Sequence, residues 1–150
     1  MYILILTNKN LIFDIILDIK KLNVIKNRLI MKICVSGSRE WADKKVIWDV
    51  LLEFDRQHPN ISKTLLSGGW RGADTFAEEF AVEHKWEIKR YLPEWSKYGA
   101  SAGPRRNNQM LSEKPEFIFC FPLANSKGTV QLIQAIPKLS PDSKVYIHPL

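Results

Sequence analysis

Residues 65–81 read LLSGGWRGADTFAEEFA, and this stretch passes from an apolar run through a glycine-rich turn into a helical pattern. Apolar residues recur from Ala73 to Ala81 at the spacing of one helix face. Because glycine has no Cβ, backbone in such a turn bends tightly and approaches a ligand closely. The helix that follows presents free N–H groups and a partial positive charge. The stretch therefore predicts a strand, a turn and a helix, with phosphate binding as one interpretation and a plain tight turn as the other.

Composition and charge indicate a globular domain with a weak preference for anionic partners. Of the 150 residues, 45% are hydrophobic and 25% charged, which suits one domain with a full hydrophobic core. The net charge of +6 divides evenly, because residues 1–30 hold five basic and two acidic side chains and the rest hold 17 and 14. An excess of this size favours nucleotides or nucleic acid, but it is too small to predict a dedicated nucleic-acid surface.

Residues 1–30 differ in composition from the rest of the chain, since they contain no glycine, proline or alanine. They lack the basic start and small-residue cleavage site of a signal peptide, and charged residues between 14 and 21 interrupt their apolar run too often for a membrane span. We predict an N-terminal extension to a domain of residues 31–150, and we expect the protein in the cytoplasm. The extension is either an overlong start or an added strand (Tyr2 to Leu6) and helix (about Leu11 to Ile25).

From Met31 onward, apolar runs of strand length alternate with helical patterns. The predicted strands are 33–35, 63–69, 87–92, 116–122 and 144–148, and the predicted helices are 46–54, 73–81, 105–113 and 129–136. Pro137 is predicted to end the last helix, and residues 93–104 are predicted to be a loop. The alternation predicts an α/β fold, namely a Rossmann-like, doubly wound, mostly parallel five-stranded sheet with helices on both faces.

Four polar, glycine-containing segments fall where a parallel sheet of this kind binds ligands, at the carboxyl ends of its strands. They are residues 36–39, 67–74, 103–107 and 125–129. Arg39 and Arg106 are predicted on this rim, where their guanidinium groups suit bidentate contacts to phosphate. The glycine turn is neither a Walker A motif nor G-x-G-x-x-G, so a nucleotide would be held in another way.

Each candidate side chain also has a purely structural interpretation. Arg71 either contacts the ligand or points to solvent. Asp74 either binds a ribose hydroxyl or a base edge, or only stabilises the first helical turn. Ser126 or Thr129 either joins the site or caps a helix. The aromatic residues beside these loops either stack on a base or pack as a lid, and they are Trp41, Trp70, Trp95 and Tyr98.

Taken in order, the segments CVSGSRE, LLSGGWRGADTFAEEFA, PEWSKYGASAGPRRNNQM and FPLANSKGTVQLIQAI resemble the SLOG superfamily. The similarity is greatest to its small phage and bacterial members of the YspA or YAcAr type, and it covers about Met31 to Ile136. It implies a Rossmann-like domain that binds or senses a nucleotide or nucleotide-derived ligand, often in phage or defence-related settings.

Two other SLOG branches imply different functions. The Lonely Guy phosphoribohydrolases cleave the N-glycosidic bond of nucleoside monophosphates with a P-G-G-x-G-T-x-x-E motif, whereas the DNA-processing protein A family binds single-stranded DNA through a similar glycine loop and an R-N pair. Here Leu132 stands where the motif has its glutamate, and only Glu78 or Glu79 from another helix would replace that carboxylate. Hydrolysis, with Asp74 as the candidate catalytic residue, and single-stranded nucleic-acid binding are the alternatives to simple binding or sensing.

The resemblance and the loop residues together give a set of candidate ligand-binding positions. They are Gly37, Ser38 and Arg39; Gly68, Gly69, Arg71, Gly72, Ala73 and Asp74; Arg106 and Asn107; and Ser126, Gly128 and Thr129. We predict no metal and no cofactor, since the histidines and cysteines show no metal-ligand spacing. Cys34 and Cys120 are predicted to be buried free thiols. Whether the protein forms a homo-oligomer is left open.

Overall fold

The computed structural model describes residues 16–22 and 30–149. Residues 16–22 are helical and fall within the helix predicted from about Leu11 to Ile25. The rest of that helix and the predicted strand from Tyr2 to Leu6 lie outside the described residues. Met31–Leu150 form one compact unit, and the division of the chain at residue 30 stays our proposal. No helix within the described ranges combines the length and apolar character that a bilayer crossing requires.

Strands and helices alternate from residue 30 onward, as the sequence pattern predicts. In chain order they are β1 (Ile30–Gly37), α1 (Lys44–Gln57), β2 (Ser62–Ser67), α2 (Ala73–Glu83), β3 (Glu87–Arg90), α3 (Trp95–Tyr98), a 3-10 turn (Gly99–Ser101), α4 (Ala102–Ser112), β4 (Phe117–Phe121), α5 (Lys127–Leu139) and β5 (Lys144–Ile147). The five strands form one parallel sheet in the order β3-β2-β1-β4-β5. The predicted Rossmann-like fold is confirmed.

Two hydrophobic layers cover the two faces of the sheet, because successive side chains of each strand point to opposite faces. Val35 and Phe119 pack with α1 and α2 on one face, whereas Cys34 and Ile118 pack with α4 and α5 on the other. The prediction of helices on both faces is therefore correct. Cys34 and Cys120 are buried and free, also as predicted.

Strand order reverses between β1 and β4, which determines where a ligand would bind. The chain runs from β1 outward to β3 on one side of the sheet, then returns to place β4 on the other side of β1. Ser36 pairs with Cys120 and Gly37 with Phe121 at the carboxyl ends of these two strands. Loops that leave the two strands diverge to opposite faces, so a crevice opens between them.

Two local predictions are wrong. Helix α5 continues through Pro137 to Leu139, because a proline this near the end of a helix removes only one backbone hydrogen bond and the N–H of Ser140 still donates to Ile136 O at 2.8 Å. Residues 93–104 are not a plain loop, since they hold α3, the 3-10 turn and the start of α4. No residue of α3 is buried, so this helix leaves no apolar periodicity in the sequence.

Candidate ligand-binding site

A cavity of about 460 Å³ lies at the carboxyl edge of the sheet, at the point where strand order reverses. All four predicted segments contribute to its lining. The predicted residues that line it are Gly37, Ser38, Arg39, Asp74, Arg106, Asn107, Ser126, Gly128 and Thr129. Five further lining residues are absent from the predicted set, namely Ser36, Glu40, Trp70, Asn125 and Lys127. All but Glu40 fall inside the four predicted segments, so the segments locate the site better than the motif positions alone.

Five predicted residues do not line the cavity: Gly68, Gly69, Arg71, Gly72 and Ala73. At Gly68, two side chains fill the space that a Cβ would occupy. A Cβ at this position would clash with the Arg106 guanidinium and would lie 2.8 Å from Asp74 Oδ2. The missing side chain of Gly68 therefore lets an acid from α2 and a base from α4 approach the same point.

Gly72 joins the first two cavity loops. Its φ is +77°, and a Cβ here would overlap Ser38 O and lie 2.6 Å from Arg39 O. The next residue, Ala73, is fully buried and its N–H donates to Ser38 O at 3.2 Å. The loop after β1 thus rests directly on the start of α2, which fixes Arg39 relative to Asp74.

Asp74 is a buried carboxyl group on the cavity wall, with 7% of the residue exposed. Burial raises its pKa to about 6, with Glu78 adding to the rise, while Arg106 and the backbone N–H groups of Trp70 and Gly68 oppose it. The Trp70 N–H donates to Asp74 Oδ2 at 3.3 Å. Asp74 is the acidic residue in the first turn of α2, it also orders the preceding turn, and it faces the cavity, so both of its interpretations are compatible with the geometry.

Arg106 and Asn107 connect three of the four loops. Arg106 Nη1 donates to Gly68 O at 2.6 Å, and its Nε donates to Asn107 Oδ1 at 3.0 Å. Asn107 Nδ2 donates to Gly128 O at 3.1 Å and to Gln131 Oε1 at 2.8 Å. Asn107 is 3% exposed, and both the oxygen and the nitrogen of its side-chain amide are hydrogen-bonded. Asn107 therefore positions Arg106 and α5. Burial lowers the pKa of Arg106 and Asp74 raises it, but a guanidinium stays charged near neutral pH.

Helix α5 begins at the cavity without a side-chain cap. Ser126 is the N-cap residue, but its Oγ accepts from Leu123 N at 2.8 Å and makes no bond to the helix. Of the two interpretations of Ser126, a side-chain cap of α5 does not form, because its hydroxyl closes the preceding turn. Within residues 30–149, the backbone N–H groups of Gly128 and Thr129 have no acceptor. Free N–H groups at a helix N-terminus favour an anion.

Three cations line the cavity: Arg39 and Lys127 have no carboxylate partner in the described part of the chain, whereas Arg106 lies near Asp74 without forming an ion pair within 4 Å. The Arg39 guanidinium instead lies over the Trp70 ring, 4.4 Å from its centroid. Of the two lining carboxylates, Glu40 forms an ion pair with Arg71, which does not line the cavity. The cavity therefore has a net positive charge at neutral pH, which suits an anionic ligand.

The carboxylates that would support glycosidic hydrolysis are engaged elsewhere. Leu132 is fully buried in the core between α5 and the sheet. Burial would raise the pKa of Glu78, but hydrogen bonds from Arg90 and Ser67 outweigh that effect and lower it. Glu79 pairs with Lys44 at 2.6 Å. Neither glutamate lines the cavity. Across the described ranges, no group of three or more His, Cys, Asp or Glu is arranged to hold a metal ion.

Comparisons with known proteins agree with this fold. Residues 31–98 match the YspA, cpYpsA-related SLOG family. The Gene 61 protein of Mycobacterium phage D29 is 32% identical over 103 residues, which are 65% of this chain and 82% of that protein. The X-ray structure of DNA processing protein A (DprA) from Streptococcus pneumoniae is similar with a TM-score of 0.62 at 15% identity, over 81% of this chain and 51% of that one. The chain thus spans about half of the DprA chain, and this likeness shows the fold. The chain belongs to the YspA, cpYpsA-related SLOG family.

Proposed function

We propose that this protein binds or senses a nucleotide or a nucleotide-derived ligand in the cavity at the carboxyl edge of its sheet. One observation carries the proposal, namely that unpaired cations and free helix N–H groups from separate loops meet in one cavity. The phosphate would contact the N–H groups of Gly128 and Thr129, together with Arg39, Arg106 and Lys127. Family membership supports a function related to nucleotides or nucleic acids.

The rest of the cavity suits the sugar and base of such a ligand. Its volume of about 460 Å³ falls in the range of about 300–1,000 Å³ that is usual for small-molecule sites. Asp74 offers a buried acceptor for a ribose hydroxyl or a base N–H in the wall of the same cavity, next to Arg106. The arrangement therefore provides for both ends of a nucleotide, whereas a free phosphate would use only one end.

Isothermal titration with mono-, di- and cyclic nucleotides tests this function, and Lys127→Ala is the most direct variant. Lys127 is exposed at the start of α5 and has no carboxylate partner in residues 30–149, so its removal leaves the fold intact. We expect a loss of affinity of about tenfold, as for one charge-assisted contact to phosphate.

Lys138→Ala is the matched control, because Lys138 is an exposed lysine of the same helix in its last turn, away from the cavity. Its affinity should equal that of the wild type. An absence of binding heat at millimolar concentrations of every nucleotide, with folded protein, would count decisively against the proposal. Equal losses in the two lysine variants would contradict the placement of phosphate at the N-terminus of α5.

One observation supports an alternative function, the glycosidic hydrolysis of nucleoside monophosphates. Asp74 is a buried carboxyl group with a pKa of about 6 in the cavity, which suits proton transfer near neutral pH. Incubation with nucleoside monophosphates and chromatography for free base tests this activity. Release of base that Asp74→Asn abolishes would establish hydrolysis in place of simple binding, whereas intact nucleotide after prolonged incubation would exclude it.

A further inference from the structure

Trp70 differs from the tryptophans that serve the hydrophobic core. The indole N–H groups of three others donate within the protein, Trp41 to Asp43 O at 2.8 Å, Trp48 to Phe76 O at 3.0 Å and Trp86 to Asp55 Oδ1 at 3.1 Å. The indole N–H of Trp70 has no acceptor among the described residues, and 37% of Trp70 is exposed. Trp95 is also exposed, but it packs beside Gly103 and does not line the cavity. Trp70 is the aromatic residue of the cavity lining.

The backbone of Trp70 is held firmly although its ring is open to the cavity. Its N–H donates to Asp74 Oδ2 at 3.3 Å, and its C=O accepts from Thr75 Oγ1 at 2.9 Å. The Arg39 guanidinium lies over one face of the Trp70 ring, 4.4 Å from its centroid. An exposed aromatic side chain on an anchored backbone, next to an unpaired cation, is a preformed surface for a flat ring system that carries a phosphate.

We propose that Trp70 recognises the base of the ligand by stacking its indole ring on the nucleobase, while Arg39 contacts the phosphate end. This inference rests on the proposed function and makes it narrower, because it requires a nucleoside phosphate and disfavours a sugar phosphate. Since every base has a π face, stacking distinguishes nucleotides from ribose phosphates but discriminates little among bases. The free indole N–H of Trp70 adds one donor for an acceptor on the ligand.

Titration calorimetry with AMP, GMP, CMP, UMP and ribose 5-phosphate tests this role in Trp70→Ala and Trp70→Phe. We expect Trp70→Ala to weaken the binding of the monophosphates by about tenfold or more and to leave ribose 5-phosphate within twofold. Trp70→Phe should keep most of the affinity, because it retains an aromatic face. Trp95→Ala is the matched control, since Trp95 is similarly exposed and lies outside the cavity lining, and it should bind like the wild type.

Tryptophan fluorescence gives an independent readout. A monophosphate should quench the emission of the wild type and of Trp95→Phe, but not that of Trp70→Phe. If the wild type binds nucleotides and Trp70→Ala binds them equally well, the stacking role is wrong and the proposed function stands. If the wild type binds no nucleotide at all, the proposed function itself fails. If only a single-stranded oligonucleotide binds, with affinity that falls steeply with salt, both proposals give way to nucleic-acid binding.

Discussion

Gly72→Ala is expected to destabilise the domain by about 3–5 kcal/mol, enough to abolish most of the stability of a typical single domain. Two costs add. The backbone has φ +77° at this position, where an L side chain is strained by about 1–3 kcal/mol. The new Cβ would also collide with backbone oxygens, overlapping Ser38 O and lying 2.6 Å from Arg39 O, and these atoms belong to a loop that no side-chain rotation relieves. Urea or guanidinium unfolding followed by circular dichroism measures the change.

Gly128→Ala is the control for this prediction. Gly128 lies in the first turn of α5 at negative φ, and a Cβ there would have no atom within 4 Å. Alanine favours helix over glycine, so the free energy of unfolding should change by less than about 1 kcal/mol and towards greater stability. A midpoint for Gly72→Ala within experimental error of the wild type would contradict the close approach of the two cavity loops.

The stability and the site therefore depend on the same turn. Ser38 O accepts the N–H groups of both Trp41 and Ala73, so the loop after β1 and the start of α2 form one unit. Gly72 permits that contact, and Gly68 permits the adjacent approach of Asp74 and Arg106. The glycines of this turn allow the loops to pack closely against each other. The cavity is the space between the loops that the glycines bring together.

Sequence reasoning succeeded where the determinants are local or follow from topology. The period of apolar residues in α2 and the glycines before it predicted a strand, a turn and a helix, and parallel strands necessarily bring their loops to one edge. That is why Arg39, Asp74, Arg106 and Thr129 line one cavity as expected. Their role in ligand binding stays a prediction.

The sequence does not show which charged side chains form ion pairs and which are available to a ligand. The sequence favours Arg71 over Lys127 as a ligand-binding cation, because Arg71 lies inside the glycine loop. In the structure, however, Arg71 does not line the cavity and forms an ion pair with Glu40. Lys127 lines the cavity without such a partner in the described residues. Glu40 and Arg71 are 31 positions apart, so their contact depends on how two loops pack. Local pattern carries no information about a contact of this kind.

Asp74→Asn is expected to stabilise the protein above pH 6 while weakening nucleotide binding. The carboxyl group has a pKa of about 6 in the folded protein, whereas the ordinary pKa of an aspartate is 3.8, and burial is the chief cause of the rise. Between these values the folded state binds a proton that the unfolded state has released, so stability falls as pH rises through this window. The difference corresponds to about 3 kcal/mol at most, and the amide avoids this cost at neutral pH.

Unfolding free energies of wild type and Asp74→Asn between pH 4 and 8 check this expectation. The two curves should lie closest near pH 4 and separate progressively up to about pH 6 and little beyond it. Glu113 does not confuse the comparison, because hydrogen bonds from Lys89, Tyr91 and Lys32 hold its pKa at about 2 and it is present in both proteins. Parallel curves would show that Asp74 is not buried as a carboxyl group.

The same variant separates the two interpretations of Asp74. An asparagine retains an oxygen that accepts from the Trp70 N–H, so the turn before α2 should persist. If Asp74 only orders that turn, the variant is more stable and binds nucleotides as well as the wild type does. If its carboxylate accepts from a ribose hydroxyl or a base N–H, the variant gains stability and loses affinity by about tenfold, since bonds to a charged acceptor are the stronger ones. We expect the second result, because a buried carboxyl group that costs the fold stability is better explained by a ligand than by a turn that an amide would serve equally well.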